Sequence, residues 1–301
     1  MKYRVRHVTT YSYSEPVRLS HHAAHLWPRS IASQRHEDPV LKITPEPAVL
    51  NEVQLDYFDN PTIYFTIQEP HTTLEIEAGF TVETNGSPPL PHLDGTPWDK
   101  VSADLLKGAR GQVQGAQDFL YPSPLVPFLA EAKAYALPSF PPGRPLTEAV
   151  LDLNHRINQD FTFDSSATLV GTPLATVFED RRGVCQDFAH AIIACLRAMG
   201  LAARYVSGYI RTIAPPGKEK LVGADASHAW ASVFVPGSGW LDIDPTNDTL
   251  CGEDHVTVAW GRDYDDVSPI RGVVLGGGNH EIQVAVDVIE LDNEPRSDLF
   301  S

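Results

Sequence analysis

Basic residues and cysteine are scarce in this 301-residue chain. Its 23 Lys and Arg stand against 39 Asp and Glu, a formal net charge of −16. Without a basic patch, and none is found, a nucleic-acid backbone or an anionic membrane surface would be repelled, so neither is expected as a partner. Three cysteines, an odd number, do not make a disulfide framework. Long apolar runs are missing too. No stretch approaches the ~18–20 residues of a membrane span, and Met1 to His7 alternates where a signal peptide would need an unbroken apolar run. A soluble, cytoplasmic protein is the expectation. No internal repeat or low-complexity tract is found. What is present, 42% hydrophobic and 21% charged residues, is globular composition, and the length allows two domains.

From Tyr3 to about Thr84 the pattern is that of strands. The segments 3–11, 51–57, 62–67 and 73–82 alternate polar with β-branched and aromatic residues, and Asp59-Asn60-Pro61 marks a turn. An antiparallel β-sandwich is therefore expected over 1–84. His21, His22 and His25 raise a metal site, because imidazole is a common ligand. No Cys or carboxylate nearby completes one, and a loop or strand edge is the alternative. Asn85-Gly86-Ser87-Pro88-Pro89-Leu90-Pro91 is a linker by composition. Residues 85–145 are expected to form a linker and helical connection, with helices over 98–107 and 126–137. In 146–292, Thr147 is expected to cap a helix whose apolar face is Val150, Leu153 and Ile157, and Thr172-Pro173 to open a short one. Strands come next, over 203–210, 228–235, 239–244, 255–260 and about 282–291. Helices followed by strands predict an α+β domain, helices packed on an antiparallel sheet. Residues 293–301 read as a flexible tail.

Between these helices and strands, Gly183-Val184-Cys185 leads into a segment whose Phe188, Ile192, Cys195 and Met199 recur at helical spacing and which stops at Gly200. A thiol in the first helical turn meets unpaired backbone N–H groups and the positive end of the helix dipole, which favour a thiolate. An inert core cysteine is the other reading. A nucleophile needs a base, and the base needs an orienting partner. His228 begins one alternating strand, and Asp244 ends the next, immediately before Pro245. One hairpin apart, the carboxylate can accept a hydrogen bond from the imidazole. Asp242 lies one pleat deeper, where a solvated or structural carboxylate is the alternative. Cys195 reads as core, and Cys251 has no motif around it.

Four ordered motifs carry a resemblance: Gly183-Val184-Cys185-Gln186-Asp187-Phe188-Ala189-His190, Ala203-Arg204-Tyr205-Val206-Ser207-Gly208-Tyr209, Ala226-Ser227-His228-Ala229-Trp230, and Gly239-Trp240-Leu241-Asp242-Ile243-Asp244-Pro245-Thr246-Asn247. Together they resemble the bacterial transglutaminase-like proteins. Residues 261–272, Gly-Arg-Asp-Tyr onward, resemble a motif of the prokaryotic branch, and the N-terminal strands, with Asp59-Asn60 and Pro70-His71, resemble the β domain preceding the core there. The resemblance implies a papain-like core over 146–292 with Cys185 as nucleophile, His228 as general base and acid, and Asp244 as orienter. It also suggests Gln186, Asp187, Tyr209, Ser227, Arg262 and Asp263 as substrate-binding candidates. A buried ion pair holding the loop is the alternative for Arg262 and Asp263. For Asp187 and His190 the alternative is a structural role.

The implied chemistry is attack of a thiolate on an amide carbonyl, loss of the amine, and transfer of the acyl thioester to water or a second amine. The Cys185 backbone N–H is a candidate oxyanion donor. Gln186 stands where animal transglutaminases carry Trp, so an aromatic-lined amine entry is not implied, and hydrolysis and transamidation both stay open. The expected partner is a peptide or protein amide, and no cofactor or metal is expected. Asp248, Glu253 and Asp254 cluster but lack the ligand spacing of a calcium loop. A peptide-binding or assembly module without turnover is the reading from another class.

Overall fold

The computed structural model describes residues 1–85, 95–108, 115–169, 171–212 and 227–291. The expected tail, and the expected linker beyond Asn85, lie outside the described residues.

The N-terminal strands are β1 (Lys2–Ala24), β2 (Gln34–Thr44), β3 (Val49–Leu50), β4 (Gln54–Leu55), β5 (Pro61–Ile67) and β6 (His71–Thr84). β1 pairs antiparallel with β6 through Lys2–Ser12 and with β5 through Ser20–Ala24. Its ladder shifts register between Ser12 and Val17, where Pro16 has no N–H to donate and the strand can bend. The bend folds the sheet on itself. Ile43, Leu74, Ile76 and Ala78 of β2 and β6 pack against Val17 and Ala24 of β1 and Phe65 and Ile67 of β5 in one buried cluster. The antiparallel pairing is as the period-two pattern predicts, but in place of a sandwich of two sheets one continuous sheet curls to supply both layers.

Next come α1 (Trp98–Leu106), α2 (Ala130–Ala136), α3 (Leu146–Asp160), β7 (Thr162–Phe163), α4 (Leu174–Asp180), β8 (Arg182–Gly183) and α5 (Cys185–Ala198). Val150, Leu153 and Ile157 of α3 are fully buried, as their spacing requires. The helix starts are corrected: Pro145 and Pro173 hold the N-cap positions of α3 and α4 in extended conformation. Thr147 lies inside α3 and is itself buried. α2 is also shorter than the apolar stretch 126–137 suggested. α5 ends as predicted: Gly200 adopts φ +73°, Leu201 N–H reaches Leu196 C=O, and Gly200 N–H reaches Arg197 C=O. That geometry needs a left-handed residue.

The second sheet comprises β9 (Ala203–Ile210), β10 (Ser227–Val235), β11 (Gly239–Asp244), β12 (Thr249–Leu250) and β13 (His255–Gly261), ordered β12-β11-β10-β9-β13. Small residues of β10, Ala229 and Ala231, join Val233 in a buried core with Ile192, Ile193 and Leu196 of α5. The helix can therefore lie close against the sheet. After α6 (Tyr264–Val267) the chain forms β14 (Ile270–Gly276) and β15 (His280–Glu290). Sequence grouped this last strand with the second sheet, whereas it pairs along β1 from Tyr3 to Tyr13, and β14 continues from Val17 to Ala24. Strand periodicity carries no label for the partner strand, and β15 and β14 take the side of β1 that β6 and β5 leave open.

The two sheets meet at β13, which is an end strand of its sheet. Gln34 Nε2 donates to Thr257 C=O and Gln34 Oε1 accepts from Thr257 N–H, both at 2.8 Å. Asn60 does the same at Trp260, at 2.8 and 2.9 Å. Two side-chain amides thus stand in for a neighbouring strand and satisfy edge groups that burial would otherwise leave unpaired. Tyr3, Val5, Phe80 and Val288 continue into the same core as Tyr209 and Val256.

Candidate active site

β7 and β8 form a short parallel pair that delivers the chain to Val184, the residue before α5. Asp187, three residues on and buried, turns back so that its Oδ2 accepts from Val184 N–H at 2.8 Å and from Thr168 Oγ1 at 2.6 Å. It satisfies one of the donors that a helix start leaves open. Gly183 is required beside it, because a Cβ there would stand 2.5 Å from Asp187 Oδ2. The expected substrate-binding role of Asp187 gives way to a structural one, since its carboxylate is occupied in holding the turn. Cys185, half-buried, is thereby fixed at the first position of α5.

His228, second residue of β10, brings its ring close enough to Cys185 for the thiol to act on the imidazole charge. Its Nε2 donates to Asp244 Oδ2 at 2.7 Å, which leaves Nδ1 as the ring nitrogen for the thiol. Burial lowers the imidazole pKa, but the hydrogen bonds and charges of Asp244 and Cys185 outweigh it and raise the value from 6.5 to about 9. Asp244, fully buried at the end of β11, goes the other way. Burial opposes its charge, yet the bonds from His228, His255 and Asn247 hold it well below the usual carboxylate range. Its Oδ1 accepts from the backbone N–H groups of Thr246 and Asn247 at 2.9 and 3.2 Å, and Asn247 Nδ2 reaches Oδ2 at 2.7 Å. The three residues singled out from sequence as nucleophile, base and orienter are brought together.

The remaining candidates divide. Gln186 is half-buried next to Cys185, and Ser227 is half-buried beside His228. Tyr209 is buried between the sheets, its hydroxyl on His7 Nδ1 at 2.8 Å and its ring against Phe80, so the structure places it in the inter-sheet core and not in a binding position. Arg262 makes a two-pronged pair with Asp266, at 2.9 Å on each oxygen. It borders a surface cavity with Tyr57, Phe58, Asp118, Tyr121 and Pro122, and no triad residue lines that cavity. Asp263 is fully buried; Oδ1 accepts from Asp265 N–H and Oδ2 from Leu125 N–H. Both residues hold the loop, but not as the buried ion pair given as the alternative: Arg262 pairs with Asp266 in a partly exposed bridge, and Asp263 accepts from backbone N–H groups. His190 is buried and pushed down to about 3 by burial, with Nε2 accepting from Tyr264 N–H. Cys195 is core, its thiol donating to Ala132 C=O and its pKa raised by burial. Asp242 is half-buried, and desolvation raises its pKa, partly opposed by Arg204.

Two contributors escaped the sequence reading, His255 and Asn247. Asn247 stood within a quoted motif. His255 opens β13 and reaches Asp244 only because the chain turns back after β12, for which no local pattern exists. His228, Asp244 and His255 place three ligand atoms within 4.8 Å, close enough for a metal ion. Gly252 N–H, however, donates to His255 Nδ1 at 3.3 Å, so Nε2 carries the proton it donates to Asp244 at 3.2 Å. Ligation through that nitrogen would require its loss, and the set fits a hydrogen-bond network better than a metal site. The earlier histidine cluster is dispersed: His21 bonds Thr66, His22 stacks on Phe65, and His25 bonds Ser268 C=O. Asp248 pairs with His155, Asp254 with Tyr3 and Arg211, and Glu253 lies 3.9 Å from the N-terminal amine.

Among the described residues no helix is long and apolar enough to cross a membrane. The model of the bacterial transglutaminase-like N-terminal region matches residues 3–83, and that of the transglutaminase-like superfamily matches 139–245. An uncharacterized protein of Mycobacterium tuberculosis is 41% identical over 97% of this chain and 94% of its own length. A protein-glutamine gamma-glutamyltransferase of Pseudomonas aeruginosa is 41% identical over 71 residues, covering 23% of this chain and 11% of that protein. A crystal structure from Cytophaga hutchinsonii, described provisionally as a cysteine protease, superposes with a TM-score of 0.70 at 22% identity, covering all of this chain and 95% of that one. The relatives span both halves of the chain, and the fold follows them: the protein belongs to the transglutaminase-like superfamily, in its bacterial branch with the N-terminal β region.

Proposed function

We propose that the protein is a cysteine-dependent acyl-transfer enzyme acting on amide bonds of peptides or proteins. The observation that carries this reading is His228, buried between the Cys185 thiol and Asp244 with its pKa raised to about 9. In the reaction, Cys185 Sγ attacks the amide carbon as the thiolate, its proton already held on His228 Nδ1 because the imidazole stays charged at neutral pH. His228 then returns that proton to the leaving nitrogen as the C–N bond breaks. Water or a primary amine then gives a proton to His228 as it attacks the thioester, and the C–S bond breaks to release Sγ as the thiolate beside the protonated imidazole. Asp244 holds the imidazole in the tautomer this needs. The N-terminus of α5 presents the Cys185 N–H where an oxyanion would develop, and such a donor is worth ~3 kcal/mol in other enzymes.

The local likeness to a protein-glutamine gamma-glutamyltransferase makes glutamine side-chain amides the first substrates to test, with peptide bonds next. Cys185, Cys195 and Cys251 form no disulfide with one another, in keeping with a reducing, cytoplasmic setting. The test is incubation with a peptide library, with and without a labelled primary amine. Label incorporation that disappears in Cys185→Ser establishes transfer, and new termini or a mass gain of about one unit, equally lost in Cys185→Ser, establish hydrolysis. Peptide retention without turnover, with iodoacetamide alkylation of Cys185 unaffected by His228→Ala, would overturn the enzymatic reading.

A further inference from the structure

We infer that His255 is a positioning residue of the triad, acting through Asp244 and not on substrate. The inference rests on the triad reading above. Asp244 Oδ1 is held by two backbone N–H groups, while Oδ2 accepts from three side chains: His228 Nε2 at 2.7 Å, Asn247 Nδ2 at 2.7 Å and His255 Nε2 at 3.2 Å. A buried carboxylate in such a set has its plane fixed by whichever donors are themselves rigid. Asn247 sits in the turn after β11, but His255 is held at both ring nitrogens. Gly252 N–H donates to Nδ1 at 3.3 Å, and that bond fixes the tautomer so that Nε2–H faces Asp244. The ring also stands edge-on against Trp230, with centroids 5.3 Å apart and planes at 81°. Trp230 lies two residues from His228 on β10, and its ring lies 6.1 Å from that of His228. His255 therefore ties the carboxylate of β11 to β13, and its ring packs against the strand that carries the base. His228 meets an oxygen whose position three strands define.

Two amide substitutions separate this role from a purely structural one. His255→Gln carries a side-chain N–H to about the reach of Nε2 but does not replace Nδ1, whereas His255→Asn replaces the acceptor at Nδ1, which Gly252 uses, and stops short of Asp244. The rate of Cys185 alkylation by iodoacetamide at pH 7 is measured for both, with His255→Phe, His228→Ala and the parent protein beside them, and thermal melting reports folding. The expected result is a fall of about tenfold in His255→Asn and His255→Phe, the worth of one charge-assisted hydrogen bond, with most of the rate retained in His255→Gln. A full rate in His255→Asn, or an equal loss in the Gln and Asn variants, would overturn the inference. So would a full rate in His255→Phe while His228→Ala is slow, an outcome that leaves the triad reading standing. If His228→Ala itself alkylates at the parent rate, the triad reading fails, and the inference goes with it.

Discussion

Replacing Asp244 by Asn removes the charge that holds the proton on His228 while keeping nearly the same shape. The imidazole pKa in the folded protein is raised from 6.5 to about 9, and at ~1.4 kcal/mol per unit this amounts to about 3 kcal/mol of folding stability. Below pH 6.5 the folded and unfolded chains both bind the proton, and the whole contribution is present. As pH rises from 6.5 to 9 the unfolded chain releases its proton while the folded one keeps it, so the contribution falls away and is gone above 9. Asp244, held below its ordinary range, shows the same contact from the other side. Its contribution is present above the ordinary carboxylate pKa and lost as acid protonates it, so the two are not added. In Asp244→Asn the part of this pH term that Asp244 supplies is lost, and only the contribution of Cys185 is left to oppose burial. Urea unfolding at pH 6.5 and 9.5 measures the difference. The parent should lose up to about 3 kcal/mol more than Asp244→Asn between the two pH values, after subtraction of the titrations both share. Parallel stability curves for the two proteins would refute the assignment of Asp244 as the partner that charges His228.

Gln34→Leu should cost about 2–4 kcal/mol, because it leaves the N–H and C=O of Thr257 buried without partners, and the loss is read from the urea midpoint. Gly183→Ala forces a methyl to within 2.5 Å of Asp187 Oδ2 and breaks the turn into α5. It should lower both the melting temperature and the rate of Cys185 alkylation, and if both stay unchanged the turn does not position the thiol. Tyr209→Phe removes the hydroxyl bonded to His7 and should cost about 1 kcal/mol of stability while leaving alkylation at the parent rate; a selective fall in substrate affinity would return Tyr209 to the binding surface. Leu153→Ala, at a fully buried site of α3, should destabilise by about 2–5 kcal/mol in thermal or urea unfolding.

The patterns that depend on near neighbours were legible in the chain itself. Alternation over 73–82 specified β6, the spacing of Val150, Leu153 and Ile157 specified α3, and Cys185 ahead of an apolar helix ending at Gly200 specified α5 with both its ends. The order Cys185, His228, Asp244 was legible because each stands at a recognisable helix start, strand start or strand end. Tertiary structure decided what depends on partners far along the chain. The strand at 280–290 returned to β1 because hydrogen-bonding groups are the same on every strand and only an available edge selects among them. Tyr209 and Asp263 moved from expected binding roles into burial, since whether a polar side chain faces solvent or another element is a property of the packing. His255 came to Asp244 through the fold of a turn, a contact that no spacing along the sequence encodes.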